Sequence, residues 1–372
     1  MKRRDLLVAV GGGLLLGSSL SSAAASRVSR ERWISAHGGE SGEFGVGWLT
    51  GGELGGTTSV GFRGHAVLQH PSRPDSAVFL PRRPGKVALE VDLLAGEVRH
   101  RFTAAEDRHF YGHGCFSVDG TVLYTTESHV SVGTGLVTVR DANTYERLEE
   151  WSSHGIGPHD LAALPDGKTL VVANGGILTR PETGRRALNL PTMRSSLCYL
   201  DAGTGLLLDE FFVAEPKASI RHLDVARDGT VAFAIQLQRD ASGHDRLVPL
   251  VGVHRPGAAL ELFEKPAAIL HQLRDYVGSV AICDQGRVAG FASPRGNLVV
   301  FYHVDSGALL GYHQLRDVCG LAVSREREAF VLSNSFGEIR ELDWISLQER
   351  KHQRLRLPDF RWDNHLLVAS LG

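Results

Sequence analysis

From about residue 60 onward, hydrophobic residues come in runs of only a few positions, and turn-forming residues separate the runs. Residues 280–316 show the pattern most clearly, with four short runs separated by Asp284-Gln285-Gly286, Ser293-Pro294-Arg295-Gly296 and Asp305-Ser306-Gly307. A helical period of 3.6 residues is almost absent, whereas short runs bounded by Gly, Asp and Pro are typical of β-strands. The segment therefore predicts a four-stranded antiparallel meander.

The same order of runs and turns recurs along the chain. The residues that open the first strand of successive units are His65, His113, His159, His222, Ser279, Cys319 and His365. Subtracting successive residue numbers gives spacings of 48, 46, 63, 57, 40 and 46. The two longest intervals contain polar insertions at 175–196 and 238–246, and we expect 178–194 to be a surface loop on the face that carries the histidines. Units of roughly 40–50 residues predict the blades of a β-propeller.

The seventh unit is incomplete at the C-terminus, where only Leu366–Leu371 can form a strand after His365. Its other strands must come from the N-terminal segment, in which Arg32–His37 and Phe44–Leu49 are strand-like. Joining the two ends in one blade would remove exposed sheet edges. We therefore predict an all-β protein with a single seven-bladed domain at 26–372, built from four-stranded antiparallel blades. The unit count suggests neither an eight-bladed ring nor a division into two domains.

The first 25 residues have a different composition. Lys2-Arg3-Arg4-Asp5 precedes the apolar, Gly-rich run Leu6–Leu16, and Ala23-Ala24-Ala25 follows. This arrangement predicts an export signal at 1–25, with the twin-arginine type favoured over ordinary Sec export. We expect a periplasmic protein. Because no later run approaches 18 apolar residues, we expect no transmembrane span in the mature chain.

Charge and motifs exclude several functions. The chain has 40 Lys and Arg against 42 Asp and Glu, a formal net charge of −2, so no overall field would hold a nucleic acid. Its four cysteines form no CxxC or CxxCH pair, which predicts neither covalent haem attachment nor a disulfide framework. The sequence contains no P-loop, GxSxG, HExxH or EF-hand motif, and we expect no nucleotide cofactor. We expect a monomer.

The predicted blade geometry brings the histidines together at one end of the central channel. In such a blade, the start of strand one and the loop between strands two and three lie on the same face, and strand one lines the central channel. The metal ligands we predict at that channel mouth are His65, His113, His159, His222, His365 and Glu127. Neutral imidazole is a common ligand of iron, copper and zinc. Asp160 is either a further ligand or an acceptor that fixes a ring tautomer. The alternative is that each ring bonds a neighbouring blade.

Polar and cationic residues are predicted on the same face. The candidates for binding a cofactor or chelate are Arg63, Arg82, Arg83, Arg108, Arg221, Arg295 and Asn174. Guanidinium groups recognise carboxylates and phosphates with two parallel hydrogen bonds. Salt bridges between blades are the alternative role of these arginines.

Several segments together resemble a known family. These are Arg108–Gly114, Gly155–Asp160, Val172–Gly176, Ser219–Leu223, Tyr276–Ser279, Ser293–Gly296 and Asp317–Gly320. They are similar to the exported bacterial propellers that carry domain of unknown function 1513, relatives of the YVTN and quinoprotein-like propellers. The resemblance implies a seven-bladed fold and an association with periplasmic iron-uptake lipoproteins of the imelysin type. The family usually has Glu where this chain has Asp160.

We therefore expect a periplasmic binding or accessory protein that holds a transition metal, iron or copper, or its carboxylate chelate, and that serves metal acquisition. One alternative is an enzyme of lactonase or quinoprotein-dehydrogenase type. The chain lacks the repeated Trp-docking signature of quinoproteins, and we assign no catalytic residue. The other alternative is a scaffold that docks a partner on its arginine-rich face. We favour binding over catalysis.

Overall fold

The computed structural model describes residues 30–38 and 43–370. Their strands form seven antiparallel sheets, six with four strands and one with five. The innermost strands of successive sheets contact one another around a central channel. The predicted seven-bladed propeller is therefore confirmed. The predicted export signal at 1–25 lies outside the described residues.

The strands are numbered in chain order. The closing blade begins with β1 (Glu31–Gly38), β2 (Phe44–Thr50) and β3 (Glu53–Ser59). The next three blades, each from the innermost strand outward, are β4 (Gly64–His70), β5 (Arg73–Pro81), β6 (Val87–Asp92) and β7 (Glu97–Thr103); β8 (Arg108–Phe116), β9 (Val122–His129), β10 (Gly135–Asp141) and β11 (Arg147–Ser152); and β12 (Pro158–Ala163), β13 (Thr169–Asn174), β14 (Ser196–Asp201) and β15 (Leu207–Phe212).

The last three complete blades are β16 (Ala218–Val225), β17 (Val231–Leu237), β18 (Val251–His254) and β19 (Glu261–Leu262); β20 (Ser279–Cys283), β21 (Val288–Ser293), β22 (Leu298–His303) and β23 (Leu309–Gln314); and β24 (Val318–Ser324), β25 (Ala329–Asn334), β26 (Glu338–Asp343) and β27 (Leu355–Arg356). The chain ends with β28 (Arg361–Trp362) and β29 (Leu367–Ser370), which return to the closing blade.

The two ends of the chain close the ring in one sheet. Strand β29 pairs with the inner edge of β1, with Leu367 opposite Ile34 and Ser370 opposite Glu31. Strand β28 pairs with the other end of β1, so that Trp362 lies opposite His37. The predicted closure is confirmed, although the last strand begins one residue later than predicted and its predicted final residue lies outside the described part.

The core lies between the faces of neighbouring sheets. The second strands of four blades each place a fully buried phenylalanine there: Phe79, Phe233, Phe291 and Phe330. The outermost strands instead alternate between covered and exposed positions, as in the pattern of β23. Burial of apolar surface between blades is the main stabilising contribution to such a ring.

The four cysteines are free thiols, as the sequence predicts. Burial raises the pKa of Cys115 and of Cys198 to about 12, so these thiols are protonated at neutral pH. They act as small apolar residues of the core.

Helical segments are short. The 175–195 insertion between β13 and β14 contains the 3₁₀ turns Pro181–Thr183 and Leu190–Thr192, and a third 3₁₀ turn is Lys351–Gln353. Helix α1 (Arg239–Ser242) follows β17, and α2 (Ala267–Gln272) connects two blades. Within the described residues, no helix has the length and apolar character needed to cross a membrane.

The pairing between the first two strands is irregular in five blades. The register shifts lie at Gly64/Val67, Phe110/Gly114, Pro158/Asp160, Ile220/His222 and Val318/Gly320. A bulge leaves residues unpaired and redirects their side chains, and bulges are common beside functional sites. The residues left unpaired include His65, His113, His159, Arg221 and Cys319. The irregular positions of the inner strands therefore include several of the candidate site residues.

Candidate metal centre

Five histidines converge in the channel, as the repeat geometry predicts. They are His65, His113, His159, His222 and His365, which we call the histidine cluster. In nine of the ten ring pairs the centroids are separated by 4.6 Å, for His159 and His222, to 6.4 Å, for His65 and His222. All five come from the innermost strands or, for His365, from the residues just before one. The same position is occupied by Ser279 and Cys319 in the two remaining blades.

Two groups within the histidine cluster have ligand atoms close enough to share one ion. One group is His65, His113 and His365, and the other is His113, His159 and His222. In each group the ligand atoms lie within 4.8 Å of one another. Small ring movements would bring such atoms to the metal–nitrogen distances of about 2 Å that transition metals require.

Asp160 determines how His113 is presented. Its Oδ1 lies 3.0 Å from Nδ1 of His113, and its Oδ2 lies 3.8 Å from Nδ1 of His222. Burial alone would raise the pKa of Asp160, but the neighbouring His113 and His222 hold that pKa well below its usual value. The charged carboxylate therefore accepts the Nδ1–H of His113, which leaves Nε2 as the available ligand atom. The structure thus favours the acceptor role over the ligand role for Asp160.

Every member of the histidine cluster has a buried ring nitrogen without a hydrogen-bond partner among the described residues. These atoms are His65 Nδ1, His113 Nε2, His159 Nδ1, His222 Nδ1 and His365 Nε2. A buried polar atom without a partner is costly, and native structures contain few of them. Five at one place indicate a site built for a ligand.

Four of the five rings are neutral at physiological pH. Burial, followed by the charges of neighbouring groups, lowers the pKa of His65, His159 and His365 well below 6.5. Burial also lowers the pKa of His222 to about 4, against the opposing effect of Asp160. Neutral imidazole has a free lone pair, which is the form that binds a metal.

A cavity of about 230 Å³ opens above the histidine cluster, and we call it the mouth cavity. His65, His159 and His222 form part of its wall. Its arginines are Arg82, Arg83, Arg185, Arg221 and Arg295. Among the described residues that line it, none is Asp or Glu. The mouth cavity is therefore strongly positive, although the whole chain is nearly neutral.

On the opposite side of the histidine cluster lies a second cavity, of about 590 Å³. His113, Asp160 and His365 contribute to its wall. The histidine cluster thus forms a partition across the channel, between a cationic mouth and a lower chamber lined by the inner strands.

Two of the predicted anion-binding arginines lie elsewhere. Arg108 donates two hydrogen bonds to Glu150, at 3.0 and 2.9 Å, within its own blade. Arg63 donates two to Asp363, at 2.5 and 2.8 Å, and lines a cavity beside the mouth cavity. A guanidinium already neutralised by a bidentate carboxylate is a poor anion receptor. Arg63 thus forms a salt bridge between distant parts of the chain, whereas the salt bridge of Arg108 lies within one blade rather than between blades.

Glu127 and Asn174 are also occupied within the blades. The Glu127 carboxylate accepts hydrogen bonds from Arg140 at 2.8 Å and from Thr125 at 3.0 Å. Asn174 exchanges hydrogen bonds with Ser153, at 2.8 and 2.7 Å. Neither residue lines the mouth cavity. We leave both out of the site proposed below.

One arginine of the mouth cavity was not among the predicted site residues. Arg185 lies in the 175–195 insertion, which folds over the mouth and also places Ile177 and Ala187 on its wall. This confirms the predicted position of the insertion. The only signal in the sequence was the abundance of arginine in that insertion, which does not say which guanidinium reaches the channel.

Seven antiparallel blades around a channel with a histidine cluster at its mouth define a seven-bladed β-propeller with a candidate metal site in the channel. Residues 58–369 match the family model described as "Protein of unknown function (DUF1513)", and the chain belongs to this family. No curated protein matches the chain.

Among solved structures, the chain is similar to the hydrazine synthase of Kuenenia stuttgartiensis. The TM-score is 0.58 with 13% sequence identity, over 85% of this chain and 90% of that one. At this identity the likeness concerns the propeller fold alone.

Proposed function

We propose that this protein binds one transition-metal ion, iron or copper, or a chelate of it, at the histidine cluster, and that it serves as an accessory protein in metal acquisition. The observation that carries the proposal is the set of five buried ring nitrogens, one on each ring of the histidine cluster, that have no hydrogen-bond partner among the described residues. An all-imidazole donor set suits iron, copper, nickel and zinc rather than magnesium or calcium.

The group of His113, His159 and His222 is the favoured position for the ion. Because Nδ1 of His113 is bonded to Asp160, this ring has one nitrogen left and can serve only one of the two groups. Asp160 supports the favoured group from two sides, through His113 and by its approach to His222. Two of the three ligands also line the mouth cavity, so a further coordination position is open to a ligand from there.

A location outside the cytoplasmic membrane belongs to the same proposal. The pattern of residues 1–25 supports export, and the twin-arginine route would carry a protein that has already folded around its metal. The family resemblance supports periplasmic iron-uptake lipoproteins as partners. Replacing Arg3 and Arg4 by Lys should leave the precursor in the cytoplasm, and unchanged export of that variant would contradict the twin-arginine route.

Elemental analysis of the full chain, produced through its own export route, tests metal binding. We expect about one ion per chain, and we expect His113→Ala and His222→Ala to lose it while circular dichroism stays that of a folded β-protein. His254→Ala is the matched control, because His254 is also buried but bonds Tyr199 and Ala258 away from the channel. Wild-type protein without metal, or metal retained in both cluster variants, would overturn the proposal.

A further inference from the structure

The five arginines of the mouth cavity differ from most others in this protein. None of them forms an ion pair within the described part of the chain. Arg83 donates only to the neutral oxygens of Tyr111 and Thr179, at 2.7 and 2.9 Å. Arg295 stacks on Tyr276, with 4.6 Å between the guanidinium carbon and the ring centroid.

Arg221 is the clearest case of an arginine without a partner. Its side chain is buried, with the residue 6% exposed, and its Nε has no hydrogen-bond partner among the described residues. It occupies the bulge directly before His222, which directs it to the mouth. Burial lowers the pKa of Arg82 to about 10, and the charges of Arg63 and Arg185 add to this effect. Buried cations without counter-charges are expensive, so the arrangement requires an anion.

We infer that the mouth cavity binds a small polyanion with two or more carboxylate or phosphate groups, and that one oxygen of this anion reaches the metal held by His113, His159 and His222. The evidence for the anion site comes from the arginines alone. The contact with the metal rests on the proposed function. The protein's ligand is then an anionic metal chelate rather than a bare ion.

Charge favours a small polyanion. Five guanidinium groups exceed what a single monoanion can neutralise, and their planar donors match carboxylate and phosphate oxygens. The neutral side chains Gln236, Gln238 and Asn364 complete the wall with groups that suit hydroxyl and carbonyl oxygens.

The residues that the two sites share bring the bound anion next to the metal. His159 and His222 belong both to the favoured metal group and to the wall of the mouth cavity. Arg221 is adjacent to His222 in the chain and lines the same cavity. An anion bound to Arg221 therefore lies next to two of the three metal ligands, on the side where the coordination position is open.

Calorimetry on the full chain, freed of metal with a chelator and dialysed, tests the anion site without the metal. We expect citrate and inorganic pyrophosphate to bind with a Kd below about 1 mM, more weakly at high salt, and acetate to bind far less. Arg221→Gln and Arg185→Gln should each weaken binding about tenfold or more, whereas Arg108→Gln, which removes a paired arginine outside the mouth, should not. Arg185 is exposed, so its replacement does not endanger folding.

The two polyanions also distinguish the chemical source: preference for citrate assigns a polycarboxylate, and preference for pyrophosphate assigns a phosphate ligand. Failure of both to bind, or equal affinity of wild type and Arg185→Gln, would overturn the anion site.

Preformed cupric or ferric citrate then tests the contact with the metal. We expect wild-type protein to bind the chelate more tightly than metal-free citrate, and we expect His113→Ala to lose that gain while still binding citrate. His113 lines the opposite cavity, so its loss leaves the arginines in place. Equal affinity for citrate and its chelate would overturn the contact with the metal. If wild type contains metal in the elemental analysis but binds no polyanion, this inference fails and the proposed function survives.

Discussion

The carboxylate of Asp160 contacts His113 at 3.0 Å and, through its other oxygen, accepts the backbone N–H of Leu223 in the next blade at 3.2 Å. One side chain thus connects two inner strands and fixes an imidazole. Asp224 makes the same kind of connection, because it accepts the N–H of Ile282 in the following blade at 2.7 Å. No ion pair of Asp224 with a histidine is present in the described part of the chain. Asp224 therefore only connects two blades, whereas Asp160 connects two blades and also orients His113.

Replacing Asp160 by Asn should weaken metal binding about 10- to 100-fold, because the amide removes the negative charge that orients His113 and increases its basicity. Asp224→Asn is the matched control and should lower stability without changing metal affinity. Competition with a chromophoric chelator measures both affinities. Equal metal affinities of the two variants would show that Asp160 is only a connection between blades.

Gly112→Ala should disturb the metal site, because the added Cβ on the backbone of β8 would collide with His65. Gly112 has φ +115°, and a Cβ there would lie 2.4 Å from Cδ2 of His65. The ring must move, so we expect metal affinity to fall about tenfold together with a loss of stability. Gly61→Ala is the control, because φ is +76° there but no atom lies within 4 Å, which leaves backbone strain of about 1 kcal/mol alone. Equal metal affinity in the two variants would contradict this account.

The metal-free protein should lose stability as the pH falls from about 6.5 towards 4. In the unfolded chain the imidazoles gain protons near 6.5, whereas burial lowers the pKa of His222 to about 4 in the folded state. In that window the unfolded state binds more protons, so the free energy of unfolding decreases as pH decreases and is fully restored above 6.5. His222 alone contributes on the order of 3 kcal/mol over this range.

Urea unfolding at several pH values in the presence of a chelator measures this slope. His222→Gln should reduce this slope by the contribution of His222, because glutamine does not titrate. A wild-type slope that the substitution leaves unchanged would show that His222 binds protons equally in both states.

The 175–195 insertion should be the first site of tryptic cleavage, at Arg185 or Arg186. Both residues are exposed, while the ends of the insertion are held by Thr179, which accepts from Arg83, and by Asn189, which bonds Gly176 and Leu178. Arg180 precedes a proline, which protects it from trypsin. Citrate should slow the cleavage if Arg185 contacts the anion. Equal cleavage rates with and without citrate would place Arg185 outside the binding site.

The blades and the convergence of the histidines were predictable because each blade is a local meander, and repetition around a ring brings equivalent positions together. The ion-pair partners of the arginines were not predictable from the sequence. Arg63 pairs with Asp363, 300 positions away, and nothing in the local sequence distinguishes it from the unpaired Arg82. The bulges that direct His113 and Arg221 into the channel depend on pairing with the second strand, which no short motif records.

Deleting residues 361–372 tests the closure of the ring. The deletion removes β28, β29 and His365 and exposes the inner edge of β1, where Ile34 is fully buried. A ring that depends on contacts between neighbouring blades should then lose cooperativity, and we expect the melting temperature to fall by about 10 °C or more. Full-length His365→Ala is the control, since it removes one imidazole and keeps the strand, so its melting temperature should stay near wild type. A truncated protein that melts like the full-length chain would mean that β29 adds nothing to the ring and that six blades with β1 to β3 hold together without it.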